Sequence, residues 1–179
     1  MSTRDTHSLK LFEKEQVKDR KKALKDLAKL AFENLKIRYP SVPEHAIPSP
    51  KYTDGTANGL TKCVIDFILL NGYQAERINS MGRQVDNTKT STDVLGRTRT
   101  IGSIGWIKGT GKNGTADISA TIKGRSVKIE VKCKATKDNY QSEEQKAYQQ
   151  QIERAGGVYI IARTFKDFRE WYNNFIQSI

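Results

Sequence analysis

Two runs of strict alternation, separated by a short polar join, constrain this chain more than any other feature. Ala116, Ile118, Ala120 and Ile122 alternate with polar residues in the first run, and Val127, Ile129, Val131 and Cys133 do so in the second. A period of two marks a half-buried strand, so the pair reads as a β-hairpin with one apolar face. With a two-residue type II′ turn at Gly124-Arg125, glycine supplying the positive φ, Asp117 sits opposite Lys132 and Ser119 opposite Glu130. Asp117, Glu130 and Lys132 then share the polar face as direct or diagonal neighbours. A one-residue slip would divide them between the faces.

Two carboxylates held close on a rigid sheet repel each other, and a hard divalent cation relieves the repulsion. Mg²⁺ is typically held by one or two carboxylates, with water and phosphate oxygens completing its shell. Asp117 and Glu130 fit that sparse pattern. Lys132, two residues beyond Glu130 on the same face, could hold a phosphate or an attacking water and stabilise developing negative charge. The competing reading is a surface hairpin in which Lys132 and Asp117 form a cross-strand pair, worth about 0.2–1 kcal/mol.

From about Asn58 to Phe168 the sequence resembles the PD-(D/E)XK nuclease superfamily, specifically its VRR-NUC branch. The resemblance rests on Gly114-Thr115-Ala116-Asp117-Ile118, Ile129-Glu130-Val131-Lys132, Ser142-Glu143-Glu144-Gln145 and Ala155-Gly156-Gly157-Val158-Tyr159, in the family's order. It implies a restriction-endonuclease-like α/β core, a mixed sheet flanked by helices, and a Mg²⁺-dependent phosphodiesterase in which Mn²⁺ substitutes. The implied metal ligands are Asp117, Glu130 and the Val131 carbonyl, with Lys132 as the catalytic lysine. Two positions depart from the pattern: the proline before the aspartate is Ala116, and the acidic slot on the first helix falls near Asn58, which is neutral. Asn58 could orient a metal-bound water, or Asp54 or Asp66 could supply the missing charge.

Composition points to a polyanion as partner. Lys and Arg outnumber Asp and Glu by 31 to 20, a formal charge of +11, which suits nucleic acid. No apolar run approaches the roughly 18 residues of a membrane span and no signal-peptide core opens the sequence, so a cytoplasmic protein is expected. Cys63 and Cys133 fall on apolar faces and read as buried free thiols. His7 and His45 have no paired ligand spacing, which argues against zinc. The run from Gly109 to Thr115 fails the Walker pattern, because Trp106 stands where its first glycine belongs and Asn113 follows Lys112. It reads as a flexible loop feeding the Asp117 strand.

Three regions follow along the chain. Residues 1–39 form a basic amphipathic helix from about Leu9 to Arg38, with Leu24, Leu27, Ala28, Ala31 and Leu35 as an apolar stripe that must pack on the rest of the chain or on a second copy. Residues 40–56 hold all four prolines and read as an extended linker. Residues 57–179 read as the nuclease-like domain, in the order helix, three strands, helix, strand, helix. Leu60, Cys63, Val64, Phe67 and Ile68 mark its first helix, stopped at Asn71-Gly72, and a first strand runs from Tyr73 to Ile78. Val158 to Ala162 reads as a strand buried on both faces. Phe165, Phe168, Tyr172, Phe175 and Ile176 mark the closing helix.

Within that domain, 79–112 is a basic, weakly structured insertion with a short strand at Ile104–Ile107. Its Arg83, Lys89, Arg97, Arg99, Lys108 and Lys112, together with Lys134 beyond the hairpin, are the candidate phosphate contacts. Trp106 either packs or stacks on a base, with packing slightly favoured. Ser142 and Gln145 have the spacing of a capping box. The resemblance also places Gln145 beside the active site, and both readings stay open.

The expected function is a metal-dependent DNA endonuclease. Stand-alone proteins of this branch and size are associated with phages and mobile elements, which implies branched substrates such as Holliday junctions or flaps, a homodimer, and a bacterial or phage-infected host. Two alternatives stand beside it: a non-catalytic nucleic-acid-binding module with a degenerate nuclease fold, and an assembly adaptor working through the N-terminal helix.

Overall fold

The computed structural model describes residues 3–78, 82–107, 109, 112–133 and 140–179. Its first element is the helix α1 (Thr3–Arg38), uninterrupted because neither Pro nor Gly occurs in it, and ending just before Pro40. A 3₁₀ turn (Glu44–Ala46) lies in the proline-rich segment, followed by α2 (Ala57–Leu70) and β1 (Gln74–Arg77). Four short strands come next, β2 (Arg83–Asp86), β3 (Lys89–Thr92), β4 (Thr98–Ile101) and β5 (Ile104–Ile107). The remaining elements are β6 (Ile118–Ile122), β7 (Arg125–Val131), α3 (Glu143–Arg154), β8 (Val158–Ala162) and α4 (Phe165–Ser178). Side chains set the helix starts: Thr56, Ser142 and Thr164 each accept a hydrogen bond from the amide three residues on.

The central sheet has the order β1-β6-β7-β8, with antiparallel pairs except for the parallel β7·β8 pair that α3 connects. The fold is therefore α/β with a mixed sheet. One face carries Ile118, Ala120, Ile122, Val127, Ile129 and Val131 into a core shared with α2, α4 and α1. Phe67 is the hub of its aromatic part, meeting Phe165, Phe168 and Tyr172 edge-on at 5.0–6.3 Å between ring centroids. The other face carries Glu130 and Tyr159 toward α3, where Tyr148 meets the Tyr159 ring edge-on. β8 is an edge strand, which corrects the expectation of a strand buried on both faces: only Tyr159 and Ala162 are buried.

The stripe of α1 packs on this same core through Ala23 and Leu27, and Ala31, four residues further on, is buried as well. Burying Leu27 alone contributes roughly 1.5–3 kcal/mol. Polar ties hold the helix in place: Arg20 Nε bonds Asp54 Oδ2 at 2.7 Å and Arg169 Nη1 bonds Asp26 Oδ2 at 2.8 Å. Asp54 is itself buried and accepts from the Phe165 amide at 3.0 Å, so one carboxylate joins α1 to the start of α4. The free thiols fasten the same segment, Cys63 to the Thr53 carbonyl and Cys133 to the carbonyls of Asp54 and Gly55. Among the described residues, no helix is long and apolar enough to cross a membrane.

The basic insertion is more ordered than the sequence suggests. β2 pairs with β5 and β3 with β4, and the pairing stays in step from Arg83↔Ile107 through Asp86↔Ile104 to Lys89↔Ile101 and Thr92↔Thr98. The Asn87 amide donates to Ser103 O at 3.3 Å where the two ladders meet. The segment is one antiparallel ribbon, interrupted near Gly102, whose φ of 101° breaks the regular pleat. The short strand expected at Ile104–Ile107 is β5; sequence reasoning missed the other three because they carry almost no apolar side chains, and so no apolar alternation.

Candidate active site

The hairpin forms, but with a different turn. Ile122 pairs with Arg125, leaving Lys123-Gly124 as the two-residue connection, with φ of 47° and 75°. Positive φ at both positions defines a type I′ turn, whose twist suits the flanking strands. The expected turn at Gly124-Arg125 is corrected by one residue, and the register by two. Ser119 faces Lys128, not Glu130. Continuing the ladder one step beyond Ile118↔Ile129 sets Asp117 across from Glu130, not Lys132. A slip of two preserves parity, so the three residues still share the polar face.

Asp117 stands where the β6·β7 ladder opens. Its Oδ2 accepts from the Val131 amide at 2.9 Å, satisfying a backbone donor that the ladder no longer pairs. The Asp117 main-chain carbonyl accepts from Ile78 N at 2.8 Å, which fixes the residue from the β1 side as well. Glu130 and Lys132 are only 3% and 1% exposed, and Lys132 Nζ lies 3.4 Å from Glu130 Oε1. Gln145 Nε2 donates to the same Oε1 at 2.6 Å. Asp117 and Gln145 are half-exposed, so the cluster opens to solvent on their side.

Gln145 makes the capping box and also contacts the candidate site. Its backbone and side chain complete the capping box with Ser142, through Gln145 Oε1 on the Ser142 amide at 3.0 Å, while its Nε2 reaches the Glu130 carboxylate. The loop before β6 fixes the helix start: a Cβ at Gly114 would meet Glu144 O at 2.5 Å and Gln145 N at 2.8 Å. Gly114 also has a φ of 80°, so glycine is required there on two counts. The described part of the loop expected to be flexible is a closed turn, with Thr115 Oγ1 donating to Lys112 O at 2.7 Å.

Asn58 sits in the first turn of α2 and is exposed. Neither acid considered as its substitute is available. Asp54 is bound by Arg20 and the Phe165 amide, and Asp66 by Tyr52 and Lys62. Among the described residues no three His, Cys, Asp or Glu side chains gather as a metal cluster. The candidate metal position therefore offers two carboxylates, both hard oxygen donors, with Val131 between Glu130 and Lys132. That set fits Mg²⁺ or Mn²⁺ with the rest of the shell drawn from water and phosphate.

Tyr159 is a neighbour of the cluster to which sequence reasoning gave no role beyond the Ala155–Tyr159 run. It lies across from Lys128 on β8, on the Glu130 face, and burial, reinforced by the charge of Glu130, pushes its hydroxyl up to about 12. An aromatic with a polar tip in an aliphatic run was the available signal. Of the candidate phosphate contacts, Arg83, Lys89, Arg97 and Arg99 lie exposed on the ribbon and Lys112 is exposed in the loop before β6. Lys108 and Lys134 lie outside the described residues. Trp106 is 65% exposed, which corrects the slight preference for packing. The chain matches no family model and no curated protein.

Proposed function

We propose that this protein is a metal-dependent phosphodiesterase that cuts DNA, built on a restriction-endonuclease-like core and working as a cytoplasmic homodimer on branched substrates. The observation that carries this reading is the convergence of Asp117, Glu130, Lys132 and Gln145 at the open end of one hairpin. A structural pair would need only two of them. The sheet order, with α2 leading into β1 and a helix joining its parallel pair, supports the same reading. So does the excess of 11 positive charges.

Asp117 and Glu130 would hold the metal. The chemistry Mg²⁺ supplies when bound is Lewis-acid polarisation of the phosphoryl oxygen and charge neutralisation at the phosphate. Lys132, held against Glu130 and shielded from water, offers a fixed positive charge to a phosphate oxygen at low reorganisation cost. Gln145 holds the Glu130 carboxylate in one rotamer and, being half-exposed, is the donor nearest an incoming backbone. The open side at Asp117 is the path by which that backbone enters.

The second reading, a nucleic-acid-binding module that does not cut, is favoured by one observation: Asn58 is neutral, and Asp54 and Asp66 are committed elsewhere. Labelled linear duplex, flap and four-way junction, incubated with Mg²⁺, Mn²⁺ or EDTA, separate the two. Metal-dependent cutting abolished by Asp117→Asn supports the nuclease, and binding without cutting under every metal supports the module. If two carboxylates suffice only weakly, Asn58→Asp lowers the metal concentration at half-maximal activity.

A further inference from the structure

The ribbon 83–107 has a built tip that the candidate active site does not explain. Asp93 and Arg97 close it, with Asp93 N donating to Arg97 O at 2.9 Å and Gly96 N to Asp93 O at 3.0 Å. The Asp93 carboxylate then takes the amides of Leu95 and Arg97, both at 2.9 Å, and lies 3.3 Å from the Arg97 guanidinium. Gly96, with a φ of 74°, completes a three-residue loop of the kind that ends in a glycine bulge. All this bonding presents two aliphatic side chains to water: Val94 is fully exposed and Leu95 is 72% exposed. Turn tips ordinarily carry polar residues, so two adjacent aliphatic side chains on an ordered tip are placed to enter a partner.

The ribbon behind the tip is two-faced. Lys89, Ser91, Arg99 and Ile101 share one side of the β3·β4 ladder, and Thr90, Thr92, Thr98 and Thr100 fill the other. The two acids of the ribbon are used internally, Asp86 on the amide and hydroxyl of Thr88 and Asp93 on the tip. The outward charge is therefore positive, complementary to a phosphate backbone. Ten residues from Arg83 to Thr92 give a reach of up to roughly 33 Å at 3.3 Å per residue. A two-stranded ribbon also fits the width of a duplex groove.

We propose that this ribbon is a wedge for DNA at a branch or bend: Lys89 and Arg99 hold phosphates beside the groove while Val94 and Leu95 enter and unstack the base step ahead of them. Leucine at such a step is a recognised way to open stacked bases, with the unstacking cost offset by backbone contacts. The inference rests on DNA being the ligand, as proposed above, but not on cleavage. The occupant is nucleic acid and not a lipid surface because the apolar area is limited to two side chains while the cations run along the ribbon behind them.

The test uses the full chain in EDTA, with a four-way junction carrying 2-aminopurine at the branch or, as a control, within an arm. The wild-type protein raises emission at the branch and not in the arm. The double variant Val94→Ser/Leu95→Ser, at a solvent-exposed tip, melts like wild type and binds within about three-fold with an unchanged salt slope, but gives no rise. Lys89→Ala/Arg99→Ala lowers the slope of log affinity against log salt by about 2. An unchanged rise in the tip variant overturns the wedge, as does failure to bind the junction. Binding to phosphatidylserine vesicles that is lost with Val94 and Leu95 overturns it in favour of a membrane. Cutting of the same junction in Mg²⁺ reports separately on the active site. Unstacking without cutting keeps the wedge and loses the nuclease, and normal cutting by the tip variant without any wild-type rise does the reverse.

Discussion

Gln145 Nε2 donates to Glu130 Oε1 at 2.6 Å, so the first turn of α3 is tied directly to the second strand of the hairpin. A buried carboxylate that receives both this amide and Lys132 Nζ is held in one orientation before any ligand arrives. Glu130→Gln keeps the shape and removes the charge, and should lower cleavage by about 10³-fold or more while DNA affinity stays near wild type. Gln145→Ala leaves both carboxylates in place, so its loss should be only about 10–100-fold and should show as a higher metal requirement. Single-turnover rates across a Mg²⁺ titration measure both. Equal losses for the two variants would make Gln145 a direct participant and not a positioning residue.

Lys123 occupies the first position of the type I′ turn with a φ of 47°, where a lysine side chain is strained. Asn is the favoured residue there before glycine. Lys123→Asn should therefore stabilise the protein by about 0.5–1 kcal/mol, despite losing the exposed Lys123 bond to Ile176 O. A urea melt with an unchanged slope gives the difference.

Asp54→Ala should be among the most damaging changes outside the candidate site. It leaves the Phe165 amide without its acceptor and takes the carboxylate from Arg20, which keeps only its Nη2 bond to the main-chain carbonyl of residue 54, at a cost of about 2–4 kcal/mol. Arg20→Ala, at a partly exposed position, should cost less than Asp54→Ala. Equal melting temperatures for the two variants would mean that the Phe165 bond contributes nothing.

Alkaline solution should unfold the protein early. Burial moves the Cys63 thiol from 9.0 to about 12 and the Tyr172 hydroxyl from 10.0 to about 12; Tyr159 moves likewise through burial and Glu130. The folded chain keeps these protons when the unfolded chain has released them, so stability falls as pH rises from about 9 to 12. Melting temperature against pH shows the decline, and Cys63→Ala, with one titrating group removed, should show a shallower one. At pH 8 the native thiol should react with iodoacetamide far more slowly than in denaturant.

What was legible in the sequence follows from where local signals are strong. The β6·β7 hairpin, α2 and α4 were written in alternation and helical spacing, because each buries one face and leaves the other wet. The shared face of Asp117, Glu130 and Lys132 was legible even with the wrong turn, since only parity decides it. The direct opposition of Asp117 and Glu130 was not, because Lys123 adopts a backbone conformation that lysine rarely takes. The ribbon was hidden for the opposite reason: its cross-strand threonine pairs bury nothing, so no periodicity of burial betrays them. Asp54 and Asp66 looked available because sequence carries no record of Arg20 or Tyr52 reaching them across the fold.

The packing of α1 on α4 sets a schedule for the nascent chain. Ala23 and Leu27 wait for partners that include α4, and Arg20 waits for an Asp54 that is completed only when Phe165 docks. At about 5–20 residues per second, the ribosome needs roughly 7–30 s to travel from Ala23 to Phe168. Throughout that interval α1 carries its aliphatic stripe without α4 against it. The protein closes like a clasp, and a chain cut short between the hairpin and Thr164 has the β6·β7 pair but an open core.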